Sequence, residues 1–507
     1  MRTSSYTIYV TIPDSEKVVI VNSLTGATDV VHEKVAEFLR AMRKAGDEQW
    51  VAHPTEQPVE GPKGPVSSPS EQTLLRLIRR GYLTNLSAEE EQQRLVDVVN
   101  VIHAGKMRFR SFLLVPTYDC NLRCSYCFQN DLRVKAENHF KLRSMTPERT
   151  DRIFEAIRDL QPEDEAHRSR RLGLYGGEPF LAENVQNIEY IVEKARSEGF
   201  DHIYAITNGT ELQHHMNVMG PGGVTQLQIT LDGPREAHNR SRIHKDGIGA
   251  GTFDKIMENI ELLLPRGVKI DVRVNVTRIN APHLQGLAEI VQKRRLNTFS
   301  NFSIYATPVN YPSKTPPPEG FTPYQLDLFM AAKEGDGDNA MKLFERPATG
   351  VKGEFLKMFV NKTQIPPRSA FCASHSGMYL FDALGDIYTC WEWVGFPALR
   401  VGRIDFETGA VKYNNKQLER WHNRTIANVP TCRKCQYSLY CGGGCAVYAT
   451  AQTGKFMNNH CNSYPAVFQK GVREAYLEYQ SMENSDTALK QTSTATLSSD
   501  GGGMLCQ

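Results

Sequence analysis

A chain of 507 residues exceeds one ordinary domain, and 40% apolar with 23% charged residues is a globular composition that can bury a sizeable core. Lys and Arg (59) nearly cancel Asp and Glu (57), which argues against a protein that coats nucleic acid through a basic surplus. No run of 18 apolar residues exists and the N-terminus lacks the apolar core of a secretory signal. The expectation is therefore a cytoplasmic protein with neither membrane nor nucleic acid as a partner.

Residues 1–85 read as a small α+β unit. Alternation in SYTIYVTIP and VVIVNSLTGATDVV predicts a meander of short strands, and HEKVAEFLRAMRKA has helical periodicity. A Pro/Gly-rich loop from Pro54 to Pro69 follows, then a helix over TLLRLIRRGYL that ends near Gly81. Ser87 and Glu90 have the spacing of a capping box, which opens a linker helix within residues 86–110.

From 111 to 310 strands alternate with helices. SFLLVPT, LGLY, HIYAIT, TQLQITL, VKIDVRVNV and NFSIYATPV are the strand candidates; one intervening helix starts at Pro147 behind Thr146. Six such units predict an α/β fold with a parallel sheet, open or curled toward a barrel. Residues 311–371 read as a Pro-rich connector, and 372–465 hold seven cysteines with weak periodicity, a stretch expected to be held by metal more than by a core. A C-terminal helix is expected over 466–483 and a disordered Ser/Thr/Gly-rich tail over 484–507.

Eleven cysteines in a chain without an export signal point to metal rather than disulfides, because the cytosol keeps thiols reduced. Cys120, Cys124 and Cys127 stand in C-x3-C-x2-C spacing directly behind the first strand of the alternating region. A zinc knuckle wants four ligands, and no fourth Cys or His is near. Three thiolates on a [4Fe–4S] cluster leave one iron open to an outside ligand.

This spacing, with an aromatic (Tyr126) before the third cysteine, resembles the signature of the radical S-adenosylmethionine enzymes. The resemblance implies a partial (β/α)6 barrel with its site at the C-terminal ends of the strands. It implies that the open iron is chelated by S-adenosylmethionine, whose reductive cleavage gives a 5′-deoxyadenosyl radical. Gly176, Gly177, Glu178 and Pro179 follow the strand LGLY, where the family uses GGEP to receive the methionine amino group; glycines allow close backbone approach. By the same resemblance Thr230 contacts the ribose and Arg242 pairs with the methionine carboxylate. Asp232-Gly233 also reads as a simple turn, and His238 as structural. No catalytic acid or base is assigned.

The order Cys372-x12-Gly385-x4-Cys390, then Cys432-x2-Cys435-x5-Cys441-x3-Cys445 and Cys461, resembles the SPASM extension of one branch of that family. The resemblance implies two auxiliary [4Fe–4S] clusters, three in all. One would sit on Cys432, Cys435, Cys441 and Cys461, the other on Cys372, Cys390 and Cys445. The latter lacks a fourth cysteine, which leaves an open iron, a non-cysteine ligand or Cys506. The N-terminal unit resembles the winged-helix-like leader-recognition domains of peptide-modifying enzymes, which take a leader as an added strand. The expected function is maturation of a ribosomally made precursor peptide by an oxidative change such as a cross-link, with flavodoxin or ferredoxin as electron donor. Formylglycine formation, as in anaerobic sulfatase maturases, is a second reading, weakened because Trp391 follows Cys390 where that subfamily has an aspartate; Glu392 is a further carboxylate there. Small-molecule modification and a non-catalytic metal-stabilised binding module are the remaining alternatives.

Overall fold

The computed structural model describes residues 1–44, 67–247, 251–309, 317–335 and 339–497; most of the 54–69 loop, the start of the connector and Cys506 lie outside these. The N-terminal unit holds β1 (Arg2–Thr3), then β2 (Thr7–Thr11), β3 (Lys17–Asn22) and β4 (Ala27–His32), which pair antiparallel in that order, and finally β5 (Leu83–Thr84), which pairs with β1. Helices Glu33–Lys44 and Glu71–Arg79 complete the unit. The capping box forms as spaced: Ser87 Oγ accepts from Glu90 N and the Glu90 carboxylate accepts from Ser87 N, opening helix Ala88–Lys106.

The six candidate strands all form: β6 (Ser111–Val115), β7 (Arg171–Leu174), β8 (His202–Thr207), β9 (Val224–Thr230), β10 (Lys269–Val276) and β11 (Phe302–Pro308). They run parallel in the order 6-7-8-9-10-11 without closing on themselves. Thr146 caps helix Pro147–Leu160, with proline in its first turn. Apolar residues alternate along β10: Ile270, Val272, Val274 and Val276 are buried under the helices. Asp271, Arg273 and Asn275 between them face the concave side, so this half of the sheet presents a polar surface. The β6 end is filled instead, because Leu113 and Val115 pack against Tyr118, Leu132, Met378 and Leu380.

Three expectations need correction. The cysteine-rich segment is not held apart from the core. Its strands β12 (Met378–Asp382), β13 (Asp386–Tyr388), β14 (Gly402–Ile404) and β15 (Val411–Tyr413) extend the sheet, β12 parallel to β6 and the rest antiparallel. Gly385, at φ +84°, makes the β12–β13 turn. The described part of the 311–371 connector is mostly helical (Pro323–Gly335 and Thr349–Asn361), and Phe355 and Phe359 pack on Phe468 and Tyr476 of the C-terminal helix. That helix spans Tyr464–Leu497, past the expected end at 483 and into the expected disordered tail, since no Gly or Pro interrupts 484–497.

The N-terminal sheet docks on this C-terminal assembly. Gln469 Nε2 donates to Tyr9 O (3.0 Å) and Arg473 Nε to Thr11 O (3.0 Å), covering β2, while Tyr6 Oη donates to Arg433 O. No helix among the described residues is long and apolar enough to cross a membrane.

Candidate functional site

The loop behind β6 carries the first three cysteines and is fixed by its own polar groups. Thr117 Oγ1 accepts from Asp119 N (3.0 Å), and Asp119 Oδ1 from Cys120 N (2.8 Å). A second loop clamps it: Arg123 N and Ser125 N donate to Ile243 O and Ser241 O, and Lys245 N donates to Asn121 O. Cys120 and Cys124 are buried and Cys127 half-buried. Burial pushes the Cys120 thiol up to about 12 and raises that of Cys124, which Arg242 partly offsets. Such thiols ionise when a metal takes the proton's place. Arg133 Nη2 donates to Cys127 Sγ (3.0 Å) and Asn208 Nδ2 reaches Cys120 Sγ at 3.7 Å.

The Gly176–Pro179 loop packs flat on this cysteine loop. Gly177 N donates to Thr117 O (3.0 Å) and Glu178 N to Asp119 O (2.7 Å). A Cβ on Gly177 would overlap the carbonyl oxygens of Tyr118 and Asp119, and one on Gly176 that of Thr117. The close approach the glycines permit is therefore made to the chain's own backbone. Glu178 is buried and braces the next strand end, accepting from Thr207 Oγ1 (2.7 Å), Asn208 N (2.5 Å) and Phe180 N (2.9 Å). Burial lifts its carboxyl to about 7 against these bonds.

Tyr126, Asp232 and Arg242 form one network. Tyr126 Oη donates to Asp232 Oδ2 (2.5 Å) and accepts from Arg242 Nη1 (2.8 Å) and Asn275 Nδ2 (3.2 Å). Asp232 is fully buried and also accepts from Asn275 N (3.0 Å) and Ser241 Oγ (3.3 Å), so the Asp-Gly pair is a buried hub rather than a solvated turn. Burial raises its carboxyl, with Arg242 opposing. Arg242 is 6% exposed, and its buried Nε has no partner among the described residues. A ligand carboxylate fits that donor. Thr230 is buried at the end of β9, in register with Arg273 on β10. His238 is structural, as expected: its Nδ1 accepts from Asp232 N and its Nε2 meets Thr252 Oγ1 at 3.1 Å.

The other seven cysteines fall into two sets that feel one another's charge. Cys390 is raised by burial and then by Cys372 and Cys445; Cys432 is raised by burial and then by Cys441, Cys435 and Cys461. Crowding thiolates in a poorly hydrated interior is costly unless a cation binds them. Thiolate is the donor that iron–sulfur clusters take. Among the described residues no group of three or more His, Cys, Asp or Glu converges as one metal ion requires, a demand set by Zn–S bonds of about 2.3 Å. A four-iron cube, with each thiolate on a different iron, does not require it.

Tyr175 lies near enough to Glu392, Cys127 and Cys390 to feel their charge, and its ring is 6.3 Å from that of Trp391. Glu392 is half-buried and raised by burial, which Arg273 partly offsets. A separate cavity of about 280 Å³, lined by Tyr305, Thr307, Arg346 and Asn462, opens beside β11; none of the sequence-selected residues lines it. The sequence reading did not single out Arg133 or Asn275, whereas Asn208 stands in the Thr207-Asn208-Gly209 run that it placed at the end of the third strand. Isolated polar residues carry no spacing signal, and only the tertiary contacts bring them to the sulfurs and to Tyr126.

The Radical SAM superfamily matches residues 114–290. Over 384 residues the chain is 23% identical to a cysteine-type anaerobic sulfatase-maturating enzyme of Clostridium novyi (strain NT), covering 72% of this chain and 96% of that protein. Over 372 residues it is 23% identical to a serine-type anaerobic sulfatase-maturating enzyme of Bacteroides thetaiotaomicron, covering 69% and 86%. A solved structure described as native anSMEcpe with bound AdoMet superposes with TM-score 0.53 at 18% identity, covering 74% of this chain and 99% of that one; this likeness bears on the fold alone.

Proposed function

Because residues 114–290 are a radical SAM domain and the chain is an enzyme of that superfamily, we propose that it matures a ribosomally made precursor peptide by an oxidative modification such as a cross-link. The observation that carries this reading is the meeting of three loops, from β6, β7 and β9, that bring Cys120, Cys124 and Cys127, the Gly176–Pro179 segment, and the Tyr126–Asp232–Arg242 network to one end of the sheet. With its iron–sulfur cluster and S-adenosylmethionine bound, such a site supplies a 5′-deoxyadenosyl radical that takes hydrogen from a substrate.

The chain's own residues have these roles. Cys120, Cys124 and Cys127 hold the cleaving cluster, and Arg133 steadies the last sulfur. Arg242, aimed by Tyr126, receives the methionine carboxylate; residues 176–179 receive its amino group and Thr230 the ribose. Glu178 ties the amino-group loop to the β8 end. Cys432, Cys435, Cys441 and Cys461 hold one auxiliary cluster, and Cys372, Cys390 and Cys445 the other, with a low-potential flavodoxin or ferredoxin supplying electrons.

The peptide's leader adds to β4. The other edge of its sheet, β2, is covered by the C-terminal helix, whereas β4 is the free end strand; Thr28 O points outward and is taken by Arg80 Nη2 (3.0 Å), so the edge is open at Val30, which is 39% exposed.

Anaerobic reconstitution tests the reading: the wild type binds iron and releases 5′-deoxyadenosine on reduction, and Cys124→Ala abolishes release. Retained cleavage in that variant refutes the assignment. The sulfatase-maturing relatives and the half-buried Glu392 favour a second reading, formylglycine formation. An aldehyde formed on a cysteine- or serine-containing sulfatase peptide, detected with a hydrazide, would select it.

A further inference from the structure

The C-terminal cysteine region buries a complete positive charge. Arg424, just past helix Asn415–His422, is 1% exposed and heads the largest fully enclosed side chains. The edges of its guanidinium are held by two loops, one on either side of helix Ala446–Thr453. Nη1 donates to Gly444 O (2.9 Å), Nη2 to Asn458 O (2.7 Å) and Nε to Phe456 O (2.8 Å). Gly444 immediately precedes Cys445, and Asn458 leads into Cys461. Nη1 also approaches His375 Nε2 at 3.4 Å, three residues beyond Cys372, and the other nitrogen of that ring contacts Trp421 O at 3.0 Å. One side chain thus ties loops from both cysteine sets.

Backbone carbonyls satisfy the donors but do not neutralise the charge. Among the described residues Arg424 makes no ion pair with a carboxylate. An interior cation without a counter-charge is expensive. Burial lowers the pKa of Arg424, and negative charge on Cys432, Cys445, Cys372 and Cys441, drawn from both sets, opposes that shift.

We propose that Arg424 is the shared counter-charge of the two auxiliary cysteine sets and raises the reduction potentials of the clusters they hold. This rests on the reading of those seven cysteines as cluster ligands. Reduction adds negative charge to a cluster, so a fixed cation nearby stabilises the reduced form more than the oxidised one; local charge is one of the levers that set such potentials. Arg424 is a positioning residue by this account: it touches the loops, not the substrate.

The test is an anaerobic redox titration followed by electron paramagnetic resonance, with iron and sulfide counted on the same samples. Arg424→Gln should shift both auxiliary potentials negative and leave the cleaving cluster unchanged, while Arg424→Lys stays near wild type. A Gln variant with full iron and unchanged potentials, or equal shifts in Gln and Lys at the acidic end of the titration where the lysine carries its proton, overturns the role of Arg424. Should the Gln variant not retain its clusters, the Lys variant decides alone. A buried ammonium loses its proton at alkaline pH, so its auxiliary potentials should fall with pH while those of wild type do not, and a flat profile overturns the proposal. A wild-type chain that holds only the cleaving cluster refutes the cluster reading itself, a failure distinct from unchanged potentials.

Discussion

Replacing Tyr126 with Phe removes one hydroxyl and almost no volume, so the packing change is small and the polar loss is isolated. The hydroxyl joins a buried carboxylate to a buried guanidinium: it donates to Asp232 at 2.5 Å and accepts from Arg242 at 2.8 Å and Asn275 at 3.2 Å. Asp232 keeps Asn275 N and Ser241 Oγ, but Arg242 already has an unpartnered Nε and loses its side-chain anchor. A buried group stranded in this way costs about 1–3 kcal/mol, toward the upper end when charged. The expected loss for Tyr126→Phe is about 3 kcal/mol in anaerobic urea unfolding followed by circular dichroism. S-adenosylmethionine should recover part of it if its carboxylate meets Arg242, because a ligand that binds only the folded form stabilises it. A variant within about 0.5 kcal/mol of wild type, the range of an inconsequential substitution, would show that Tyr126 merely fills space and that Arg242 is not held by it.

Gly177→Ala drives a methyl into the Tyr118 and Asp119 carbonyls; a loss of about 3 kcal/mol and reduced iron content are expected, and full iron with an unchanged urea midpoint would contradict the packing of that loop. Asp382 is fully buried, and burial, then Asp386, lifts its carboxyl to about 7. Its folded pKa is above its unfolded one, so its contribution to stability is complete below about pH 4, declines as pH rises to about 7 and is constant beyond. Relative to Asp382→Asn, wild-type stability should fall between pH 5 and 7 by up to about 1.4 kcal/mol per pH unit, and parallel profiles would refute the shift. In an antiparallel strand Val30 has the parity of Thr28, so its N–H also faces outward, and Val30→Pro removes that donor with little effect on β3 pairing. Leader-peptide affinity, measured by fluorescence anisotropy, should drop about tenfold, equivalent to about 1.4 kcal/mol, while 5′-deoxyadenosine release without peptide is unchanged. Undiminished affinity would rule out strand addition at β4.

Local signals in the sequence were strong where chemistry requires neighbours in the chain. The spacing of Cys120, Cys124 and Cys127, the Gly176–Pro179 run and the six alternating strands each lie within one turn, loop or strand, so the order of residues alone carries them. The capping box at Ser87 and the proline start at Pro147 formed as spaced for the same reason. The folded chain decided what depends on distant residues meeting. Arg424 reads as one more charged residue until the loops bearing Gly444, Phe456 and Asn458 close round it, and Asp232 reads as a turn until Tyr126 and Asn275 arrive from other loops and strands. Likewise β12 has too little periodicity of its own to announce a strand; it forms because β6 offers an open edge, and backbone groups buried there must be paired. A buried charge or a borrowed sheet edge is stabilised by partners far along the chain, and no local pattern records them.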